Sequence, residues 1–153
     1  MALFGKEIPE SQICIIWGKP TKYDVLDRLI SLVAKNPAIK DKDEFRKAVL
    51  DREEVTSTGV GGGIAIPHAR LDEIEDIIIG LGIVPEGVDF ESIDNQPVYI
   101  VLLYATPKTK DKEYLQFLAK AVQVLKNDIV FNRLLKCKSP APVALYVNGE
   151  NSG

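Results

Sequence analysis

Apolar positions along this chain alternate between two spacings, and each change marks the edge of an element. Ile13-Cys14-Ile15-Ile16 is a short unbroken apolar run, the pattern of a buried strand. From Thr21 to Lys35 the residues Val25, Leu26, Leu29, Ile30 and Val33 recur at helical spacing, and Asn36-Pro37 ends the helix. A second helix starts near Asp41, a capping residue with Glu44 three positions on, and carries Phe45, Ala48 and Val49 on one face. Gly63 to Pro67 predicts a short strand with the proline at its end. Ile77 to Val84 and Val98 to Tyr104 predict two further strands, with turns at Pro85-Glu86-Gly87 and Asp94-Asn95-Gln96-Pro97. Helical spacing returns from Asp111 to Lys126, with Leu115, Leu118, Ala119, Val122 and Leu125 inward, and again from Asp128 to Lys136. Val143 to Val147 predicts a last strand, and Asn148 to Gly153 a loose tail.

Strands and helices interleave with no repeat and no linker. That predicts an α/β fold, one layered domain over residues 1–153 with helices flanking a sheet. The connection from Val84 to Val98 is short and has no helical pattern, so those two strands should pair antiparallel and make the sheet mixed. A length of 153 residues fits a single core, and 46% hydrophobic with 27% charged residues is the balance of a soluble globular protein. The net charge of −3 leaves no basic stripe for nucleic acid. No apolar run reaches the length of a bilayer span, and the first residues carry no signal-peptide core, so a cytoplasmic location is expected. Cys14 and Cys137 are isolated, which implies neither a metal site nor a disulfide framework.

The candidate chemistry centres on His68, the chain's one histidine, in Thr58-Gly59-Val60-Gly61-Gly62-Gly63-Ile64-Ala65-Ile66-Pro67-His68-Ala69-Arg70. An imidazole near its ordinary pKa is largely neutral at pH 7, and its free ring nitrogen is a nucleophile. Gly61, Gly62 and Gly63 could turn backbone N–H groups toward an anion, or simply supply positive φ to a tight turn. There is no Gly-Lys-Ser/Thr ending, so the loop is not a nucleotide P-loop. Arg52 falls seven residues after Phe45, which predicts an inward guanidinium. It would either grip a phosphoryl group as a fork or pair with Glu53, Glu54 or Asp72. Thr58 and Ser57 offer hydroxyls beside the loop or ordinary turn chemistry. Trp17 and the five tyrosines read as core and rim, and the acidic run Asp72, Glu73, Glu75, Asp76 as a solvated face. A metal-dependent hydrolase fails on ligand count.

Arg52-Glu53, Ser57-Thr58-Gly59, Gly61 and Gly63 to His68 resemble the active-site signature of the mannitol/fructose-type IIA domains of the bacterial phosphoenolpyruvate-dependent sugar phosphotransferase system. Gly87-Val88-Asp89-Phe90 and Ile93 to Val98 are similar to the same family, and the nitrogen-regulatory branch is the nearest in pattern. The similarity runs from about Lys19 to Val147. It implies a mixed sheet flanked by helices. It also implies a His68 that takes a phosphoryl group on Nε2 from the phosphocarrier HPr, with no cofactor beyond that phosphohistidine. Arg52 would stabilise the phosphohistidine, and Thr58 would hold the loop or the phosphoryl oxygens. Transport members pass the group to a cysteine of a IIB domain; regulatory members bind target proteins according to phosphorylation state. A regulatory phosphocarrier is expected here, with a sugar-transport IIA or a pure interaction module as alternatives. Family members carry a second histidine in the helix after the fourth strand. Here Tyr114 stands in that place, at the rim of the expected site.

Overall fold

The computed structural model describes residues 2–149. Its centre is a mixed six-stranded sheet, flanked by five helices. In chain order the elements are β1 (Ile13–Ile15), α1 (Lys22–Ala34), α2 (Lys42–Val55), β2 (Gly59–Gly61), β3 (Ile64–Ala65) and β4 (His68–Leu71). There follow β5 (Ile78–Val88), β6 (Val98–Pro107), α3 (Asp111–Leu125), α4 (Asp128–Leu135) and α5 (Pro140–Asn148). β5 and β6 form the antiparallel pair expected from their short connection. β1 runs parallel to β5, while β3 and then β4 pair parallel to the other edge of β6. β2 closes antiparallel on β3.

The period-two alternation of a strand sorts the side chains into two layers. Val101, Leu103 and Ala105 of β6 point into the layer holding Val25, Leu29 and Val33 of α1 and Phe45 and Val49 of α2. Ile100, Leu102 and Tyr104 point the other way, onto Phe117 and Ala121 of α3, Leu134 of α4 and Val143 of α5. On β5, Gly80 is required by close approach: a Cβ there would lie 2.5 Å from Val33 Cγ2 of α1. The helix starts follow their caps. Thr21 and Asp24 form a reciprocal capping box on α1, and Asp41 accepts from the Glu44 amide at 3.0 Å on α2.

Several expected elements differ from those observed. The segment 143–147 is helical, not a strand. Pro140 starts α5 in its first turn, where a missing N–H costs nothing, and Val143, Tyr146 and Val147 bury at helical spacing. Asn148 is no loose tail: its side chain accepts from Ile8 N and donates to Ile8 O, both at 2.8 Å, while residues 150–153 lie outside the described segment. Strand β5 continues through Pro85-Glu86-Gly87, with a register shift between Ile83 and Val88 in place of the expected turn. The inward stripe of α3 is Phe117, Ala121 and Leu125, and Leu115 is 59% exposed. That rotation turns Tyr114 toward the sheet and Leu115 away from it.

Candidate functional site

The strand expected from Gly63 to Pro67 is shortened to β3, and β4, outside the expected strands, follows it. Pro67 has no N–H to give a ladder, so pairing to β6 stops after Ala65 and resumes at His68, the first residue of β4. His68 sits opposite Tyr104 of β6, and both rings point into the α3 layer. They stack with centroids 5.1 Å apart and planes at 19°. Tyr114 leans on the imidazole from α3, its ring centre 5.5 Å away.

Hydrogen bonds fix the imidazole's tautomer. Nδ1 lies 3.0 Å from the Ile66 carbonyl oxygen, which only accepts, so Nδ1 carries the proton and donates it. Nε2 therefore holds the lone pair and accepts from the Tyr114 hydroxyl at 3.1 Å. Burial pushes the His68 pKa below its ordinary 6.5; the Ile66 bond opposes this, and the positive charges of Arg52 and Arg70 add to the lowering. The result is a neutral ring in a positive field, with its nucleophilic nitrogen already selected.

Ile66 is held at its amide by a buried network. The Ile66 amide donates to Thr58 O at 3.0 Å. Thr58 in turn gives its amide to Glu53 Oε1 at 3.0 Å and its hydroxyl to Glu53 Oε2 at 2.6 Å. Lys22 of α1 completes the set with its ammonium 3.0 Å from Glu53 Oε1. Sequence spacing aimed Arg52 at the interior, but the buried stripe of α2 is Phe45, Val49 and Glu53, at i, i+4 and i+8. Arg52 is half-buried and donates through Nη1 to Thr56 O at 3.0 Å, with no carboxylate partner among the ion pairs of the described residues. It is nonetheless near enough to lower the His68 pKa.

The glycines are placed elsewhere than the sequence reading put them. Gly61, Gly62 and Gly63 have φ of +88°, +69° and +84° and make the turn from β2 to β3. Gly63 O accepts from Tyr99 and Ile100 N, whereas His68 pairs with Tyr104. Four strand residues from Ile100 to Tyr104 span about 13 Å, so the turn and the imidazole lie well apart on β6. The Gly62 amide donates to Asp94 Oδ2 at 3.1 Å. The Thr58 hydroxyl has likewise given its one proton to Glu53. Two neighbours of His68 went unassigned in the sequence, Tyr104 and Arg70. Tyr104 is fully buried, its hydroxyl without a hydrogen-bond partner among the described residues, and burial pushes its pKa far up. Arg70 lies with its Cζ 5.2 Å from the centre of the Tyr114 ring. Both are brought to the site by strand pairing, which no single-sequence pattern reveals; the period-two step from His68 to Arg70 was the one available signal.

Comparison with known proteins gives a consistent picture. The family described as "Phosphoenolpyruvate-dependent sugar phosphotransferase system, EIIA 2" matches residues 11–149. A fructose-specific EIIABC component from Bacillus subtilis (strain 168) is 31% identical over 127 residues, 83% of this chain and 20% of that protein. A nitrogen regulatory protein from Pseudomonas aeruginosa is 32% identical over 126 residues, 82% of this chain and 80% of that one. The chain thus spans about a fifth of the Bacillus relative and four-fifths of the Pseudomonas relative. In fold, the crystal structure of nitrogen regulatory protein IIA-Ntr from Neisseria meningitidis matches with a TM-score of 0.82 at 22% identity, over 95% of this chain and 99% of that one.

Proposed function

Because this chain belongs to the EIIA 2 family of the phosphoenolpyruvate-dependent sugar phosphotransferase system, we propose that His68 Nε2 is the acceptor of its phosphoryl group and that an HPr-type carrier is the donor. The observation that carries this reading is the pinned tautomer: Nδ1–H on the Ile66 carbonyl leaves the Nε2 lone pair as the ring's one nucleophile. Nε2 attacks phosphorus, and the donor's phosphorus–nitrogen bond breaks with its electron pair returning to the donor imidazole. The Ile66 carbonyl then shares the positive charge that develops on the His68 ring. Arg52 contributes positive potential to the incoming group, and catalysis is otherwise a matter of positioning. Tyr114 covers Nε2 and has to yield before phosphorus arrives. No separate cofactor takes part in this scheme.

We favour a regulatory phosphocarrier, on the 32% identity to a nitrogen regulatory protein over most of both chains. Transfer onward to a IIB domain is the second reading, supported by fructose-specific relatives, one of them matched over four-fifths of both chains. A bacterial cytoplasm suits either role; among the described residues no helix is long and apolar enough to cross a membrane. The test is a relay of phosphoenolpyruvate, enzyme I and HPr with intact-mass detection. One acid-labile phosphoryl group is expected on the wild type and none on a folded His68→Ala variant. An unlabelled wild type, or label persisting in the variant, would sink the proposal.

A further inference from the structure

We propose that Arg70 is a phosphoryl-binding residue for His68, held by Asp111 in the unloaded protein and handed to the phosphoryl group on loading. The inference rests on the reading of His68 as the acceptor. It starts from a shortage of donors. The Gly62 amide is on Asp94 and the Thr58 proton is on Glu53, so neither is free for phosphoryl oxygens. Arg70 is two residues beyond His68 on β4, and successive odd or even strand positions share a face. Its charge already reaches the imidazole, where it helps to lower the His68 pKa.

The guanidinium is only loosely committed. Nη2 donates to Lys108 O at 3.0 Å and pairs with the carboxylate of Asp111, whose side chain is 75% exposed in the first turn of α3. Nε is buried with no hydrogen-bond partner among the described residues, an orphan donor on the inner side of the side chain. The guanidinium lies over the ring of Tyr114, the same phenol that caps Nε2. A phosphorus bonded to Nε2 takes the space of that phenol's hydroxyl, so Tyr114 and the arginine stacked on it have to rearrange together. The arriving group is a dianion beside a fork of five donors, and its competitors are one solvated carboxylate and the Lys108 carbonyl. Exposed ion pairs of that kind are weak, so the exchange favours the phosphoryl group.

The experiment is a phosphoryl equilibrium. Mix each variant with phosphorylated HPr, without phosphoenolpyruvate, and measure by intact mass how the phosphoryl group divides. Docking between the proteins drops out of such a ratio, and a merely structural arginine would leave it unchanged. Arg70→Ala should lower the loaded fraction's equilibrium constant roughly ten-fold, the size of a hydrogen bond to a charged group. Arg70→Lys, which keeps the charge without the fork, should fall between, and guards against a misfolded alanine variant. Asp111→Asn should raise the constant about two-fold, the size of an exposed pair, and should do nothing in the Arg70→Ala background. Wild-type ratios in the folded Arg70 variants, or an Asp111→Asn effect that survives without Arg70, would overturn the inference while leaving His68 as acceptor. A wild type that takes no phosphoryl group at all would overturn both.

Discussion

His68 is defined by what surrounds its two nitrogens. One donates to a carbonyl, the other accepts from a phenol, and a stacked tyrosine fixes the ring plane. Burial, with Arg52 and Arg70 adding to it, holds the pKa below 6.5. That direction has a sign for stability. Between the depressed folded value and the ordinary 6.5, the unfolded chain binds a proton that the folded chain refuses. Stability contributed by neutral His68 is therefore present above about pH 6.5 and lost as pH falls through that window. Urea unfolding of wild type and His68→Asn at pH 7.5 and 5.5 checks it: the wild type should lose more on acidification than the variant. Equal losses would mean that the imidazole is not held neutral. His68 itself was legible in the sequence from its Pro67 neighbour and its singularity. Arg70 and Tyr104 were not, since pairing of β4 with β6 puts them there. The glycines are a related case. Their positive φ serves a turn that lies on β6 beside Tyr99, and sequence proximity to His68 overstated their spatial proximity.

At the scale of elements, the site depends on α1 and α2 gripping the strand segment before His68. Lys22, Glu53 and Thr58 form a buried relay that ends on the amide of Ile66, the residue whose carbonyl takes the His68 Nδ1 proton. Glu53→Gln removes the buried partner of Lys22, which keeps only the exposed Glu91 carboxylate at 3.6 Å, and turns an amide N–H₂ toward the Thr58 hydroxyl. A cost of about 3 kcal/mol is expected from breaking a buried pair. Phosphorylation should slow with it, because the residue whose carbonyl selects the tautomer loses its anchor. Thermal or urea denaturation measures the first effect and the relay the second; a variant as stable as wild type would remove the network from the account. A helical wheel anchored on Phe45 could not decide between Arg52 and Glu53 as the inward residue. The observed stripe follows i, i+4, i+8, and a buried carboxylate is tolerated because an ammonium and two donors meet it. The five apolar-rich residues before Asn148 fit strand and helix alike. Pro140 decided for helix, since a proline in the first turn costs nothing there.

On the scale of the whole molecule, one mixed sheet separates two apolar layers and brings both to the histidine. The α1–α2 layer supplies the relay that anchors Ile66, whose carbonyl takes the Nδ1 proton, and the α3 layer supplies the phenol on Nε2 and the carboxylate on Arg70. The mixed sheet was legible because the link from Val84 to Val98 is too short for a crossover, and the structure pairs those strands antiparallel. The parallel placement of β3 and β4 on β6 was not, since strands of two and four residues carry little periodicity. The central claim is that this architecture presents Nε2, and not Nδ1, to phosphorus. Long-range proton–nitrogen NMR of the ¹⁵N-labelled imidazole, before and after loading by phosphoenolpyruvate, enzyme I and HPr, reads it directly. Before loading, Nδ1 should appear protonated and Nε2 unprotonated; after loading, Nε2 should carry the phosphorus coupling while Nδ1 keeps its proton. Phosphorus coupled to Nδ1, or ring nitrogens unchanged in a protein that has gained a phosphoryl group, would contradict the account.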